Sequence, residues 1–283
     1  MKGFGFSAPA DIGEALKLMA DYGEKATVLA GGTDLVPMIN NYDVKPQNLL
    51  YIGQLGLDYI KEEPGRLVIG AATTTTRLAA SDAVARLATA LCQAAALSGS
   101  AAIRNLATLG GNLVNASPAA DLACALLALG ADLHLASASS RRVVSIAEFF
   151  TGPGRTLRRP DELLLEVHVP FPKGPNCFLK LGRRKALTLS VVNAAVSLVM
   201  EGRTCRQVRL ALGAVAPTPL RCRQAEEMIT GQPIDAGTIS SCAARALAES
   251  SPIDDQRATA WYRKKAGTAL VARALAQLTG AGN

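Results

Sequence analysis

At 283 residues the chain has the length for two or three small domains, each with its own core. Hydrophobic residues make up 49% and charged residues 19%, which excludes a disordered chain, and aromatics at 4% leave the core to Ala, Leu and Val. The net charge is +7, yet the basic residues fall in short groups such as Arg141–Arg142, Arg158–Arg159, Arg183–Arg184–Lys185 and Arg263–Lys264–Lys265. Without a basic arm or interleaved aromatics, these groups suit a solvated or partner-facing surface better than a nucleic-acid-binding one.

Six cysteines, Cys92, Cys124, Cys177, Cys205, Cys222 and Cys242, include no C-x-x-C pair and read as reduced thiols of a cytoplasmic protein. The first residues lack the pattern of a signal peptide. No membrane span is expected, because the longest apolar stretch, 119–136, is broken by Asp121, Gly130, Asp132 and His134.

Residues 4–6 read as a short strand, and 10–22 as a helix with a stripe of Ile12, Ala15, Leu16 and Met19 that Gly23 stops. A short apolar run at 27–30 ends in Gly31–Gly32, after which Thr33–Asp34 can cap a helix through Ile39. A strand at 48–52 precedes a hairpin of 59–62 and 66–69 around Pro64–Gly65. Ser81–Asp82 opens an Ala-rich helix through Leu97, and 98–111 is polar and glycine-rich. A helix at 121–129, a hairpin of 133–136 and 142–145, a loop at 151–160 and a strand at 163–169 follow. Pro170, Pro172, Gly174 and Pro175 mark a linker and a domain boundary. Beyond it, strands are expected at 178–181, 190–200 and 208–213, and helices at 225–229, 236–248 and 258–278.

Two constellations carry chemistry. In Val28-Leu29-Ala30-Gly31-Gly32-Thr33-Asp34-Leu35 the glycines allow a sharp turn and close backbone approach, and amides at a helix start stabilise an anion. A pyrophosphate fits there, and so does an ordinary tight turn. The second runs from Ile103-Arg104-Asn105-Leu106-Ala107-Thr108-Leu109-Gly110-Gly111-Asn112 to Ser117-Pro118-Ala119-Ala120-Asp121. Asp121 suits either an acceptor for ribityl hydroxyls or a helix cap. Two such loops in one domain favour a cofactor over two unrelated turns.

These motifs resemble the FAD-binding medium subunit of molybdenum hydroxylases, the xanthine dehydrogenase and carbon monoxide dehydrogenase family. Weaker support comes from Ile69-Gly70-Ala71-Ala72, Asp161-Glu162-Leu163-Leu164, Lys180-Leu181-Gly182-Arg183-Arg184, and Ala211-Leu212-Gly213-Ala214-Val215-Ala216-Pro217-Thr218-Pro219, which is similar to the family's carboxy-terminal domain. The resemblance spans nearly the whole chain in order. It implies an α+β protein: a two-lobed FAD-binding domain of the vanillyl-alcohol-oxidase type over 1–172, with lobes of about 1–56 and 57–172, then a small α+β domain over 176–283.

By that resemblance, Ala30, Gly31, Gly32, Thr33, Asp34 and Leu35 wrap the FAD pyrophosphate. Thr108, Gly110, Gly111 and Asn112 line its other side and the ribityl chain, and Asp121 holds a ribityl hydroxyl. Leu164 approaches the isoalloxazine through its backbone, and Lys180 lies near the ring. Leu29, Ala72, Ser117 and Leu163 complete the cofactor set. FAD is expected without a covalent link. Molybdopterin and [2Fe-2S] clusters belong to a large and a small partner subunit, expected as a dimer of heterotrimers. The chain then takes electrons from the clusters and passes them to an external acceptor. Arg183, Arg184 and Lys185 are a candidate docking segment.

His134 and His168, the only histidines, read as structural, and no metal-ligand spacing or Ser-His-Asp set appears. The loop 30–34 and Lys185-Ala186-Leu187-Thr188 lean toward a purine or other N-heterocycle as the substrate of the complex. The competing expectation is a stand-alone FAD-dependent oxidase of the same fold.

Overall fold

The computed structural model describes residues 3–184 and 188–280. A small parallel sheet opens the chain. It consists of β1 (Gly5–Ser7), α1 (Ile12–Tyr22), β2 (Ala26–Leu29), α2 (Leu35–Asn40) and β3 (Asn48–Tyr51), with strand order β1-β3-β2. Asp11 caps α1 by accepting from the Glu14 amide at 2.8 Å, and the helix buries Ala15, Leu16 and Met19.

The second unit contains β4 (Ile60–Glu63), β5 (Arg66–Gly70), α3 (Thr75–Ala80), α4 (Asp82–Leu87), α5 (Thr89–Leu97), α6 (Ala101–Leu106), α7 (Leu109–Asn115) and α8 (Asp121–Leu129). It continues through β6 (Asp132–Ala136), β7 (Arg141–Ser145), α9 (Ile146–Phe149), β8 (Phe150–Gly152), β9 (Arg155–Thr156) and β10 (Leu163–Pro170). Its antiparallel sheet has the order β4-β5-β10-β6-β7. The last unit is an antiparallel sheet of β11 (Asn176–Gly182), β12 (Ser190–Glu201), β13 (Thr204–Gly213) and β14 (Leu220–Arg221), followed by α10 (Arg223–Ile229), α11 (Ala236–Ala248) and α12 (Ala260–Thr279).

Layering explains the patterning. All nine residues of α8 are buried, because it lies between the five-stranded sheet and the carboxy-terminal sheet. A helix apolar on every side has no solvent face to offer. On β12, Val192, Ala194, Val196 and Leu198 join the core with α10–α12, whereas Ala195 on the other face joins the core around α8. Ala195 and Ala211 there meet an Ala-rich helix, so a core poor in aromatics still packs closely. Leu163 and Leu165 join Ala72 and Ala136 in the core beneath the first sheet, tying the first two units together.

Several expectations need correction. The Ala-rich helix breaks at Ala88, whose φ of −145° and ψ of 54° separate α4 from α5. Residues 98–111 hold two short helix segments, so Gly110 and Gly111 lie in the first turn of α7 and form no turn of their own. The loop at 151–160 contains the hairpin β8–β9. Helices α3 and α9 and strand β14 had no clear sequence signal, being two to six residues long.

Candidate flavin site

The two glycine segments, from different units, come into contact. A Cβ on Gly31 would stand 1.7 Å from the Leu106 carbonyl oxygen, so only glycine permits this approach. Gly32 is the left-handed residue of the first loop, with φ +70°, and Gly31 and Gly111 are not. Among the described residues, the amides of Gly31, Gly32, Thr33 and Asp34 meet no acceptor. They form a group of unspent donors at the start of α2, where the backbone favours an anion. Asp34 precedes α2 without a side-chain capping bond, contrary to the capping expected of it, and burial raises its pKa.

The second segment is built differently. Thr108 caps α7, accepting from the Gly111 amide at 3.0 Å, and pairs across to Thr74. Gly110 donates to Ala71 O at 2.7 Å, and a Cβ there would press on Ala71 at 2.8 Å, so this glycine packs α7 onto the end of β5. The amides of Gly110 and Gly111 are therefore spent inside the protein. Asn112 offers the opposite: its Oδ1 is buried and has no partner. Unspent donors on one segment and an orphaned acceptor on the other fit a ligand that carries phosphate and hydroxyl groups, as FAD does.

Ala72 donates to Leu57 O at 3.0 Å and Ala71 to Leu165 O at 2.9 Å, which sets the end of β5 between α7 and the start of β10. The register of β10 against β6 shifts between Leu164 and Glu166. Leu163 and Leu164 point their side chains into different cores, which leaves only their backbone for any contact with a ligand. Glu162 anchors this start: it accepts from Arg142 at 2.7 and 2.9 Å and from the Arg159 amide at 2.7 Å. Burial works to raise the Glu162 pKa, but these donors overcome it and the net shift is downward.

Asp121 is neither a cap nor a free ligand. Its Oδ2 accepts from Lys180 Nζ at 2.6 Å, and its Oδ1 accepts from Ser190 Oγ at 2.6 Å and Asn193 Nδ2 at 2.8 Å. Three donors leave a carboxylate room for about one more. Lys180 also donates to Leu97 O at 3.0 Å. At the other end of α8, Arg209 donates to Leu129 O at 3.0 Å. The Ser117–Pro118 turn is held as well: Ala214 donates to Pro118 O at 2.8 Å, and the buried Arg263 donates to Ala214 O at 2.8 Å and Val191 O at 2.6 Å. Ser190 and Asn193 had no place in the sequence-based expectation, and Arg263, expected with Lys264 and Lys265 on a solvated or partner-facing surface, is instead 1% exposed, because its guanidinium is spent on Val191 O, Ala214 O and Asp255. For Ser190 and Asn193, two polar residues three apart in the mainly apolar first half of a strand were the signal available.

In the basic segment, Arg183 donates to Gln256 O at 3.1 Å, Arg184 is exposed with a partner of its own, and Lys185 lies outside the described residues, as do Ala186 and Leu187. No helix of the described residues is long and apolar enough to cross a membrane.

Residues 2–172 match the FAD binding domain in molybdopterin dehydrogenase, and residues 178–278 match the CO dehydrogenase flavoprotein C-terminal domain. The chain is 33% identical over 261 residues to a xanthine dehydrogenase FAD-binding subunit of Escherichia coli O157:H7, covering 90% of this chain and 88% of that one. It is 35% identical over 249 residues to a nicotinate dehydrogenase FAD-subunit of Eubacterium barkeri, covering 85% and 84%. The fold superposes on a chain of carbon monoxide dehydrogenase from Hydrogenophaga pseudoflava with a TM-score of 0.95, at 31% identity and 98% coverage of each. The chain therefore belongs to the family of FAD-binding subunits of the molybdenum hydroxylases, an oxidoreductase component whose molybdopterin and iron–sulfur centres reside in other subunits.

Proposed function

We propose that this chain carries FAD, without a covalent link, as the electron-transfer station of a molybdenum hydroxylase, taking electrons from [2Fe-2S] clusters of a small subunit and passing them to an external acceptor. Bound FAD supplies a redox centre that can accept and release electrons; the chain supplies its position and surroundings. The carrying observation is the meeting of Gly31 with Leu106, which joins the segment with the unspent amides at 31–34 to the one that leads into α7, where the Asn112 Oδ1 is left without a partner.

In this reading Gly31, Gly32, Thr33 and Asp34 hold the diphosphate through their amides, flanked by Leu29, Ala30 and Leu35. The Asn112 Oδ1 accepts from a ribityl hydroxyl and the Ser117 hydroxyl meets a ribityl or phosphate oxygen, while Thr108, Gly110 and Gly111 shape the wall. Ala72, Leu163 and Leu164 border the ring through backbone, and Asp121 receives one hydroxyl at its remaining lone pair. Lys180 acts by orienting Asp121.

For the whole complex we propose an N-heterocyclic substrate, a large molybdenum subunit, a dimer of heterotrimers and a cytoplasmic setting. The names xanthine dehydrogenase and nicotinate dehydrogenase among the relatives support the heterocycle. The buried thiols suit a reducing compartment. The test is stopped-flow absorbance of the purified complex. A heterocyclic substrate should bleach the flavin band in the complex but not in the isolated chain, which should still reduce dyes if supplied with a direct donor such as NADH. Substrate hydroxylation by the isolated, metal-free chain would overturn the reading.

A further inference from the structure

The five-stranded sheet has a second face, turned away from α8. Leu133, Leu135, Val167 and Val169 point into the core, so their neighbours His134, Glu166 and His168 share the opposite side. His134 on β6 stands directly opposite Glu166 on β10, and His168 follows two residues later. Their ligand atoms all lie within 4.8 Å of one another. His168 Nε2 and Glu166 Oε2 are 2.8 Å apart, and the Tyr59 hydroxyl donates to Glu166 Oε1. His168 is 8% exposed, and its Nδ1 is buried without a partner. None of these residues belongs to the flavin segments.

We propose that His134, Glu166 and His168 form a site for one divalent late first-row transition ion, with Zn²⁺ the best-matched species. Two imidazole nitrogens and a carboxylate oxygen are the donor set Zn²⁺ takes, with water as the fourth ligand. Tyr59 serves as the outer partner that fixes the carboxylate. The neighbourhood is mixed in charge: Arg66 is paired with Glu63 at 2.8 Å, Lys61 stands over the Tyr59 ring at 4.4 Å, and Asp132 lies opposite His168 on β6.

Loading changes the geometry in a defined way. The two rings stack with centroids 3.5 Å apart and planes 28° from parallel. Two imidazoles on one tetrahedral ion, with Zn–N of about 2.0–2.1 Å, stand roughly 5 Å apart at their centroids. Binding therefore splays the stack and replaces the His168–Glu166 hydrogen bond with two metal bonds. His134, only partly buried, has the room to turn. The ion then joins β6 to β10 across the sheet.

The chain contains 2 histidines and both are here, so any imidazole-dependent ion binding by a tag-free chain reports on this site. The experiment uses the full chain with its FAD, stripped with a chelator, then titrated with Zn²⁺ by calorimetry and with Co²⁺ by visible absorption. We expect one equivalent to bind, with the d–d bands of four-coordinate Co²⁺ and shifts of both histidine ring resonances in ¹⁵N-labelled protein. His134→Asn, His168→Asn and Glu166→Gln should each weaken binding at least about tenfold, while flavin absorbance stays at its wild-type value. The histidine resonances cover the case in which a variant fails to fold, since they are read in the unsubstituted chain. Absence of saturable binding, unmoved histidine resonances, or equal affinity in wild type and His134→Asn would each overturn the proposal.

Discussion

Asp121 Oδ2 and Lys180 Nζ stand 2.6 Å apart, and each side chain is 5% exposed. One sits at the start of a helix in the flavin domain, the other on the first strand of the carboxy-terminal sheet. This buried pair, with Ser190 and Asn193, fixes one end of α8, and Arg209 fixes the other. The carboxy-terminal strands thus position the start of α8, a segment of the flavin site proposed above.

Lys180→Met removes the cation and leaves a buried carboxylate short of its strongest donor. The expected loss of stability is about 3–5 kcal/mol, read from denaturant unfolding. Lys180→Met combined with Asp121→Asn should recover part of that stability without recovering flavin content, since the carboxylate itself is gone. Full recovery of both would show that neither charge matters to the cofactor.

The glycines should separate folding from cofactor binding. Gly31→Ala drives a Cβ to 1.7 Å from a backbone oxygen, so the melting temperature and the flavin content should fall together. Gly32→Ala strains a backbone at φ +70°, a cost of about 1 kcal/mol. Gly111→Ala meets only the Thr108 hydroxyl, at 2.9 Å, so its melting temperature should change less than that of Gly31→Ala. Thermal unfolding and the ratio of flavin to protein absorbance, measured on all three, give the ordering.

Flavin should leave the protein on acid precipitation. Neither His134 nor His168 lies in a glycine segment, and both stand together on the outer face of the five-stranded sheet. A colourless pellet and a yellow supernatant are expected; a yellow pellet would mean a covalent bond.

Acid should loosen the β10 entrance. The folded-state pKa of Glu162 lies below its unfolded value of 4.5. Its contribution is therefore present above about pH 4.5 and is lost as pH falls through the lower, folded value. Asp255, also held below its usual range, acts in the same direction. Glu162→Gln should flatten the acid limb of stability against pH and lower stability at pH 7, measured by urea unfolding.

The sequence by itself determined the order of the longer elements, because strand alternation, helical stripes and glycine stops are local signals, whereas the short helices and strands such as α3, α9 and β14 left none. The helix Ile12–Tyr22 was legible from its apolar stripe and glycine stop, and Asp121–Leu129 and Ala236–Ala248 as helical stretches. It also carried the family, through two Gly-Gly motifs that are fairly specific when found together, with supporting segments in the same order along the chain. What it could not carry was which groups are already spent. Gly110 and Gly31 look alike in sequence, yet one packs a helix on a strand and the other admits a neighbouring carbonyl. Asp121 reads as a cap or a ligand until the strand holding Ser190 and Asn193 arrives from 69 and 72 residues away. His134 and His168 lie apart in sequence and meet only because β6 pairs with β10. Hydrogen-bond saturation and close approach depend on partners brought in by folding, so the tertiary structure alone decided them.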